Sequence, residues 1–344
     1  MIETTLGGNY MMENNRVEIV YRSPDIYRVS VPLKGNALKN LNCYVIQSNG
    51  ETLVIDTGFN TEDCKKGLLE GLKELQLTPS DTDLFLTHLH SDHTGLSELF
   101  VNENHHIYMG EKEYAYWLTN RDNRYWYAID GLYVKEGFPM EGLLEQRKDN
   151  PAKTRGPKNM VPVTTLKEGE KFKVGDIEFE CIEVPGHTPG HMCLYIRELK
   201  ILFLGDHVLY DITPNVMEWP GMHNSLGNYL SSLEKIKKYE VELALPAHRG
   251  GNEKPLSERI NELTDHHQKR LDEIKRILKQ YGPLTTYDVA SHMKWSLHGA
   301  TWDTAPKQQK WFAMGEARAH LVFLEEAGKA MKKEEGGLFR YLLL

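Results

Sequence analysis

The sequence has no long apolar run, which excludes a membrane-spanning helix because such a helix needs about 20 consecutive apolar residues. Residues 1–15 also have no apolar core of the secretory type, so the cytoplasm is the expected location and no membrane partner is expected. The four cysteines form no Cys-x-x-Cys pair and are predicted to be reduced thiols, mostly in the core.

An excess of positive charge is also absent. The formal net charge is −8, which argues against binding nucleic acid through general electrostatics, since that mode needs a basic surface. With 40% hydrophobic and 26% charged residues, the composition is that of a globular protein with a sizeable core. A length of 344 residues favours two domains.

One short stretch concentrates side chains that bind metals. His88, His90, Asp92 and His93 follow a buried-strand pattern at 83–86 and precede a helical pattern at 95–100. Imidazole and carboxylate bind zinc and similar divalent ions at neutral pH. On a tight strand-to-helix loop, His88 and His90 can reach one metal, while Asp92 and His93 face a second. A polar loop with fortuitous histidines would not need this density of ligands.

Further strand patterns also end in metal-type side chains. Runs at 177–184, 201–204 and 242–245 lead into His187, Asp206 and His248. Each of these three side chains alone is weak evidence for a metal site, but together with the cluster at 88–93 they predict a metal centre. Another strand ends at Asp56, which is interpreted either as a surface cap or as a carboxylate that orients a metal-binding histidine.

The remaining patterns set the organisation of the chain. Asn49-Gly50 between two apolar runs predicts a hairpin, and 61–76 predicts a helix. Residues 102–159 are rich in aromatics and predict helical fragments, which either pack into the core or form a lid or wall for the substrate. Their last part, 147–158, is polar and contains lysine and proline. Beyond 255 the patterns predict a long helix (257–281), a short helix that opens at Thr285-Thr286 with a threonine as its cap, a second long helix (310–327) and two extended runs around Gly336-Gly337.

The motifs His-x-His-x-Asp-His, Pro-Gly-His-Thr-Pro-Gly-His, Gly-Asp and Pro-Ala-His-x-Gly resemble those of the metallo-β-lactamase superfamily over roughly 17–254. The resemblance implies an α/β fold, the four-layer αβ/βα sandwich, with two metal ions at one sheet edge. It places the first ion on His88, His90 and His187, and the second on Asp92, His93 and His248. Asp206 would bridge them, and Asp56 would support a ligand. The ions would be zinc, or alternatively manganese or iron.

The resemblance also implies a chemistry. A hydroxide bridging the two ions would attack the substrate, so Asp92 and Asp206 are the expected catalytic residues, with Asp92 also handling a proton. His90 stands where the diiron flavoprotein branch of the fold has a glutamate, which favours hydrolysis over redox chemistry. The expected substrate is a small ester, thioester or lactone. The alternatives are a metal-dependent endoribonuclease or phosphodiesterase and a glyoxalase-II-like thioesterase.

The C-terminal part is similar to a winged helix, as in the lactamase-β-like branch of the superfamily. The predicted domains are therefore a catalytic domain at 1–254, with the insertion at 102–159, and a winged-helix-like α+β domain at 255–344. The helix that would read DNA carries only Lys307, Lys310 and Arg318 against three glutamates. Packing on the catalytic domain, shaping the pocket or forming a homodimer is therefore favoured over nucleic-acid binding.

Overall fold

A computed structural model of the chain describes residues 16–250, 254–296 and 299–344. Its first sheet has seven strands in chain order, antiparallel from β1 to β4 and parallel from β4 to β7. The strands are β1 (Val17–Tyr21), β2 (Asp25–Pro32), β3 (Asn40–Ser48), β4 (Glu51–Ile55), β5 (Asp83–Leu86), β6 (Ile107–Gly110) and β7 (Thr164–Leu166).

The second sheet has five strands in the order β12-β11-β10-β9-β8, and only its β11–β12 pair is parallel. These strands are β8 (Lys171–Val174), β9 (Ile177–Glu183), β10 (Met192–Ile196), β11 (Ile201–Gly205) and β12 (Leu243–Pro246). The helices of this part are α1 (Glu62–Glu74), α2 (Ser91–Thr94), α3 (Glu111–Asn120), α4 (Asn123–Lys135), α5 (Met140–Asp149), α6 (Pro151–Thr154) and α7 (Ser225–Ile236). No helix within the described ranges is long and apolar enough to cross a membrane.

The two sheets face each other and carry helices on their outer sides. Between them lies an apolar cluster in which Tyr44 of β3 meets Phe203 of β11 edge to face, with ring centroids 5.4 Å apart. On the far side of the first sheet, Leu68 and Leu72 of α1 pack against Val29 of β2. The predicted αβ/βα sandwich is confirmed.

The predicted Asn-Gly hairpin joins β3 to β4. Asn49 and Gly50 both have positive φ angles, of 47° and 82°, as a two-residue turn of this type requires. Ser48 pairs directly with Glu51, so the turn fixes the register of both strands. This register leaves the end of β4 at Asp56, at the edge where the candidate site lies.

Two elements differ from those predicted. The insertion at 102–159 is not purely helical, because it begins with β6, which pairs in parallel with β5. A four-residue apolar run is too short to show a strand period. The helix predicted at 95–100 starts earlier, as α2, and continues as a 3₁₀ turn at Ser97–Phe100. Asp92 and His93 therefore lie on a short helix and not on a loop.

The C-terminal elements occur in the predicted order. They are α8 (Leu256–Tyr281), α9 (Thr286–His292), α10 (Lys307–Glu326), β13 (Ala330–Glu335) and β14 (Leu338–Leu343). A threonine caps α9 as predicted, and it is Thr285, whose hydroxyl accepts a hydrogen bond from the backbone nitrogen of Asp288 at 3.1 Å. Gly336 and Gly337 form the turn between β13 and β14 with positive φ angles. That this part is a winged helix stays a prediction.

One apolar core continues across the predicted domain boundary. It joins the outer face of the second sheet to α4, α8, α9, α10 and β14. Two aromatics of the insertion take part, because Tyr133 stacks on Trp311 at 5.2 Å and Phe138 meets Tyr287 at 5.4 Å. Of the two roles considered for the insertion, core packing or a lid over the substrate, these two rings take the first. The division at residue 254 stays a prediction.

A buried ionic group lies in the same region. Glu136, directly after α4, is fully buried, and its Oε1 accepts hydrogen bonds from Arg318 Nε and the Tyr341 hydroxyl, both at 3.1 Å. Its Oε2 accepts a bond from the hydroxyl of Thr286. One carboxylate thus connects the insertion to α9, α10 and β14.

Candidate metal centre

Five chain segments meet at one edge of the sheets. Four of them follow β4, β5, β11 and β12, and the fifth joins β9 to β10. Carboxyl ends of neighbouring parallel strands lie at the same edge of a sheet, which brings the first two and the last two segments together. They deliver all eight residues singled out in the sequence: Asp56, His88, His90, Asp92, His93, His187, Asp206 and His248.

A first group consists of three histidines. The Nδ1 atom of His90 lies 3.0 Å from Nε2 of His88 and 3.1 Å from Nε2 of His187. His88 and His187 are buried, and His90 is half-buried. Three imidazole nitrogens converging on one point leave a fourth position open, which is the ligand set of a catalytic zinc ion.

A second group consists of Asp92, His93 and His248. The Oδ2 atom of Asp92 lies 3.4 Å from Nε2 of His248 and 3.8 Å from Nε2 of His93. All three side chains are buried. The three ligand atoms lie within 4.8 Å of one another, so this group could also hold a metal ion.

Asp206 lies between the two groups. Its Oδ1 is 3.2 Å from Nε2 of His248 and 3.6 Å from Nε2 of His93. Its Oδ2 is 3.6 Å from Nε2 of His187. One oxygen of the carboxylate therefore faces each group.

Four of the five histidines are oriented by a hydrogen bond on the side of the ring that faces away from the centre. Each turns Nε2 into the centre and holds Nδ1 in a hydrogen bond, and such contacts fix the tautomer and the ring position of a ligand. The partners are the hydroxyl of Thr87 for His88 (3.0 Å), the carboxylate of Asp56 for His93 (2.7 Å), the carbonyl of Asn215 for His187 (2.7 Å) and the carbonyl of Asn40 for His248 (2.8 Å).

Several inward atoms have no hydrogen-bond partner among the described residues. They are Nε2 of His93, Nε2 of His248 and Oδ1 of Asp206, all buried. A buried polar atom without a partner costs about 1–3 kcal/mol, so their clustering needs an explanation. Two divalent ions would satisfy all three atoms, and the nitrogen and carboxylate donors suit such ions. The residues therefore fit the metal pair that the sequence predicts.

The charges of the groups differ. Burial and the neighbouring His93 and His90 hold the pKa of His88 well below its usual value, so its imidazole is neutral and ready to bind a metal. Burial also lowers the pKa of His93, but the nearby carboxylates of Asp56 and Asp206 outweigh it and raise this pKa well above the usual value. A metal on the second group would therefore have to displace a proton.

Glu113 on α3 was not singled out from the sequence, yet it holds together two of the segments that form the site. Its Oε1 accepts a bond from the backbone nitrogen of Leu89, between His88 and His90, and its Oε2 accepts one from that of Gly190, both at 2.7 Å. Burial raises the pKa of this carboxyl to about 7. A Cβ atom at Gly190 would lie 2.5 Å from the Glu113 nitrogen, so only glycine permits this approach.

His187 has further supports that the sequence did not reveal. Trp219 donates from Nε1 to its carbonyl oxygen at 3.0 Å, and the Trp219 ring lies 5.9 Å from that of His90. The side chain of Asn215 reaches Oε2 of Glu316 on α10 at 3.4 Å, and Glu316 pairs with Arg270 of α8 at 3.2 Å. The C-terminal helices thus contact the residue that orients His187. None of these residues stands in a motif.

Asp56→Asn is expected to weaken metal binding about 10–100-fold, the usual effect of changing a partner behind a ligand. The carboxylate accepts bonds from the backbone nitrogen and hydroxyl of Thr87 and from Nδ1 of His93. An amide preserves the shape but cannot accept from all three donors. Metal release to a competing chelator measures the effect. The exposed Asp63→Asn is the control, and equal affinities for the two variants would contradict the supporting role of Asp56.

The sequence pattern of the Metallo-beta-lactamase superfamily matches residues 38–248, which is more than half of the chain. The chain therefore belongs to the metallo-β-lactamase superfamily. The His/Asp groups described above, which could hold metal ions, lie within or at the end of the matched residues.

Among curated proteins, the chain is 27% identical to an atrochrysone carboxyl ACP thioesterase of Emericella nidulans. That match covers 66% of this chain and 56% of the fungal protein, so the chain spans about half the length of this relative. It is 24% identical to the probable metallo-hydrolase YqjP of Bacillus subtilis, over 88% of this chain and 92% of that protein.

Solved structures show similarity over nearly the whole chain. A metallo-beta-lactamase family protein of Thermus thermophilus superposes with a TM-score of 0.78 at 29% identity, covering 93% of this chain and 98% of that one. A beta-lactamase domain protein of Burkholderia ambifaria gives the same TM-score at 23% identity, covering 95% and 94%, and supports the fold alone.

Proposed function

We propose that this protein is a dinuclear metal-dependent hydrolase of small acyl thioesters. The observation that carries the proposal is the position of Asp206, which turns one carboxylate oxygen towards each group of ligands. His88, His90 and His187 would hold one ion, and Asp92, His93 and His248 the other. When bound, such a pair polarises the substrate carbonyl and lowers the pKa of a shared water to about 7. Zinc suits the donors, with manganese or iron as alternatives.

Asp92 is the proposed proton carrier. Burial raises the pKa of its carboxyl, but His93 and His248 outweigh burial and lower this pKa to about 2, so the side chain is ionised at neutral pH. Its Oδ2 can accept a proton as the carbonyl is attacked and return it as the leaving group departs. In this role Asp92 both binds and reacts, whereas Asp56 acts by orienting His93 and by holding Thr87.

The thioester is chosen among the ester, thioester and lactone candidates for two reasons. A relative at 27% identity is named a thioesterase. A thiolate is also a better leaving group than an alkoxide, so two positive ions and one proton carrier suffice for the reaction. No serine or cysteine nucleophile is required, and all four cysteines are buried away from the surface.

The test combines metal analysis with a panel of substrates. Elemental analysis is expected to find two divalent ions per chain, and the loaded protein is expected to turn over thioesters faster than matched esters and lactones. A glutathione thioester in the panel tests the glyoxalase-II-like alternative. His90→Ala must abolish the activity, because a contaminating hydrolase would survive that change. One ion per chain, or preferred hydrolysis of an ester or lactone, would reject the proposal as stated.

The endoribonuclease alternative is tested on short RNA in the same panel. Cleavage that falls steeply with salt would favour it. Two cations of the helix that would read nucleic acid are engaged inside the protein: Lys310 donates to the carbonyl of Asp303 at 3.0 Å, and Arg318 pairs with Glu136. Their engagement reduces the positive charge that α10 offers to a phosphate backbone.

A further inference from the structure

The polar run at 147–158, here called the basic rim, is not used by the proposed chemistry. It contains five lysines and arginines and a single aspartate, in a chain whose net charge is −8. Arg147 is paired with Asp130 and is mostly buried, so it serves the packing of α4 on α5. The three lysines of the run are exposed: Lys148, Lys153 and Lys158. Arg155 is half-buried.

The basic rim contacts two chain segments of the candidate metal centre, the one that follows Asp56 and the one that runs from His88 to His93. The backbone nitrogen of Asn60 donates to the carbonyl of Arg155 at 2.8 Å, and the side-chain amide of Asn60 donates to that of Gly156 at 3.3 Å. A Cβ atom at Gly156 would lie 4.0 Å from Cβ of Ser91, the residue between His90 and Asp92. The rim therefore borders the segment that carries four proposed ligands.

Other contacts hold the basic rim in place. Arg121 donates to the carbonyls of Pro157 and Lys158 at 2.7 and 2.6 Å, and the backbone nitrogen of Asn159 donates to Glu98. The guanidinium of Arg155 lies 5.1 Å from the centroid of the Phe59 ring, and Nζ of Lys153 lies 5.0 Å from that of Trp126. An aromatic face thus positions each of these two cations.

We propose that the basic rim binds the phosphates of a coenzyme A thioester, which makes acyl-coenzyme A the substrate class. The inference rests on the thioesterase proposal. Coenzyme A carries its phosphates together at the end opposite the thioester sulfur, along a flexible arm. With the thioester at the metal centre, the arm would leave past the basic rim, which borders the segment from His88 to His93. Lys153, Arg155 and Lys158 lie within six residues of the sequence and supply three positive charges for these phosphates, which lysine and arginine bind through charge-assisted hydrogen bonds.

The test compares one acyl group on two carriers, coenzyme A and the phosphate-free N-acetylcysteamine, with metal-loaded enzyme. In a Lys153→Ala/Lys158→Ala variant, the ratio of the KM for the coenzyme A thioester to the KM for the phosphate-free thioester is expected to rise about five- to tenfold. In the wild type the KM for the coenzyme A thioester should also rise with salt. The control Lys171→Ala/Lys173→Ala removes the same charge from β8 and should leave the ratio unchanged.

Binding of free coenzyme A, followed by calorimetry, separates this inference from the thioesterase proposal. Binding that weakens in the rim variant but not in the control supports the rim even if neither thioester is hydrolysed, an outcome that would reject the thioesterase proposal alone. An unchanged KM ratio together with unchanged coenzyme A binding overturns the rim assignment. Faster turnover of the same acyl group on an acidic carrier protein, with the same dependence on the two lysines, overturns coenzyme A as the carrier.

Discussion

Asp206→Ala is expected to release or displace one of two metal ions and to lower kcat by at least roughly 100-fold. Changing a partner behind a ligand already costs about 10–100-fold, and Asp206 faces both ligand groups directly. Without the carboxylate, two divalent cations would lie close together with no protein anion between them. Elemental analysis of the purified variant and steady-state kinetics on the best thioester measure the two effects.

Asp211→Ala is a suitable control, because this carboxylate lies near Asp206 in sequence and bonds to the backbone nitrogen of Gly250, at 3.2 Å, rather than to a ligand. Its metal content and kcat should match the wild type. Circular dichroism must show that the Asp206 variant is folded. Full metal content with full turnover in a folded Asp206→Ala protein would remove the bridging role and, with it, the observation that carries the dinuclear proposal.

Glu136→Ala is expected to reduce the free energy of unfolding by about 3–5 kcal/mol, because it leaves the buried guanidinium of Arg318 without its charged partner. The hydroxyls of Tyr341 and Thr286 lose their acceptor in the same change. The change would thus weaken the contacts between the insertion and the C-terminal elements. Equilibrium unfolding in urea, followed by circular dichroism with metal present, measures it.

Glu334→Ala is the matched control for this stability effect. Its carboxylate pairs with Lys135 at 3.4 Å, but both side chains are about half exposed, and exposed pairs contribute about 1 kcal/mol or less. Glu136→Gln should destabilise less than Glu136→Ala, since the amide keeps the volume and one acceptor. Equal unfolding free energies for Glu136→Ala and Glu334→Ala would show that the buried group does not hold the junction together.

The sequence reveals much of the site because the side chains proposed as ligands stand at strand ends. Apolar runs predict β5 and β11, and a histidine or aspartate within two residues of such a run is expected to lie at a sheet edge. The same reasoning brings His187 and His248 to that edge. The hairpin at Asn49-Gly50 and the cap at Thr285 are equally visible, because turn and cap chemistry is local.

Long-range contacts explain what the sequence does not reveal. Glu113 stands in the first turn of an ordinary helix, where an acidic residue needs no special role. It becomes a support of the site only because α3 runs past two ligand segments. Asn215 and Asn40 act through backbone carbonyls, which any residue type possesses. The strand β6 is missed for a different reason, since four residues are too few to show a period.

The buried Glu136 group has a consequence for how the protein folds. Tyr341 donates its hydroxyl to Glu136, and the two residues are 205 positions apart in the sequence. The chain must therefore close a very large loop before this hydrogen bond forms. Contacts of such high order slow folding, and until they form, Arg318 and the apolar face of α4 remain exposed to water. During synthesis on the ribosome, the insertion would therefore complete its packing only after β14 has been made. A nascent chain that stops short of β14 would expose this unpaired surface to chaperones and proteases.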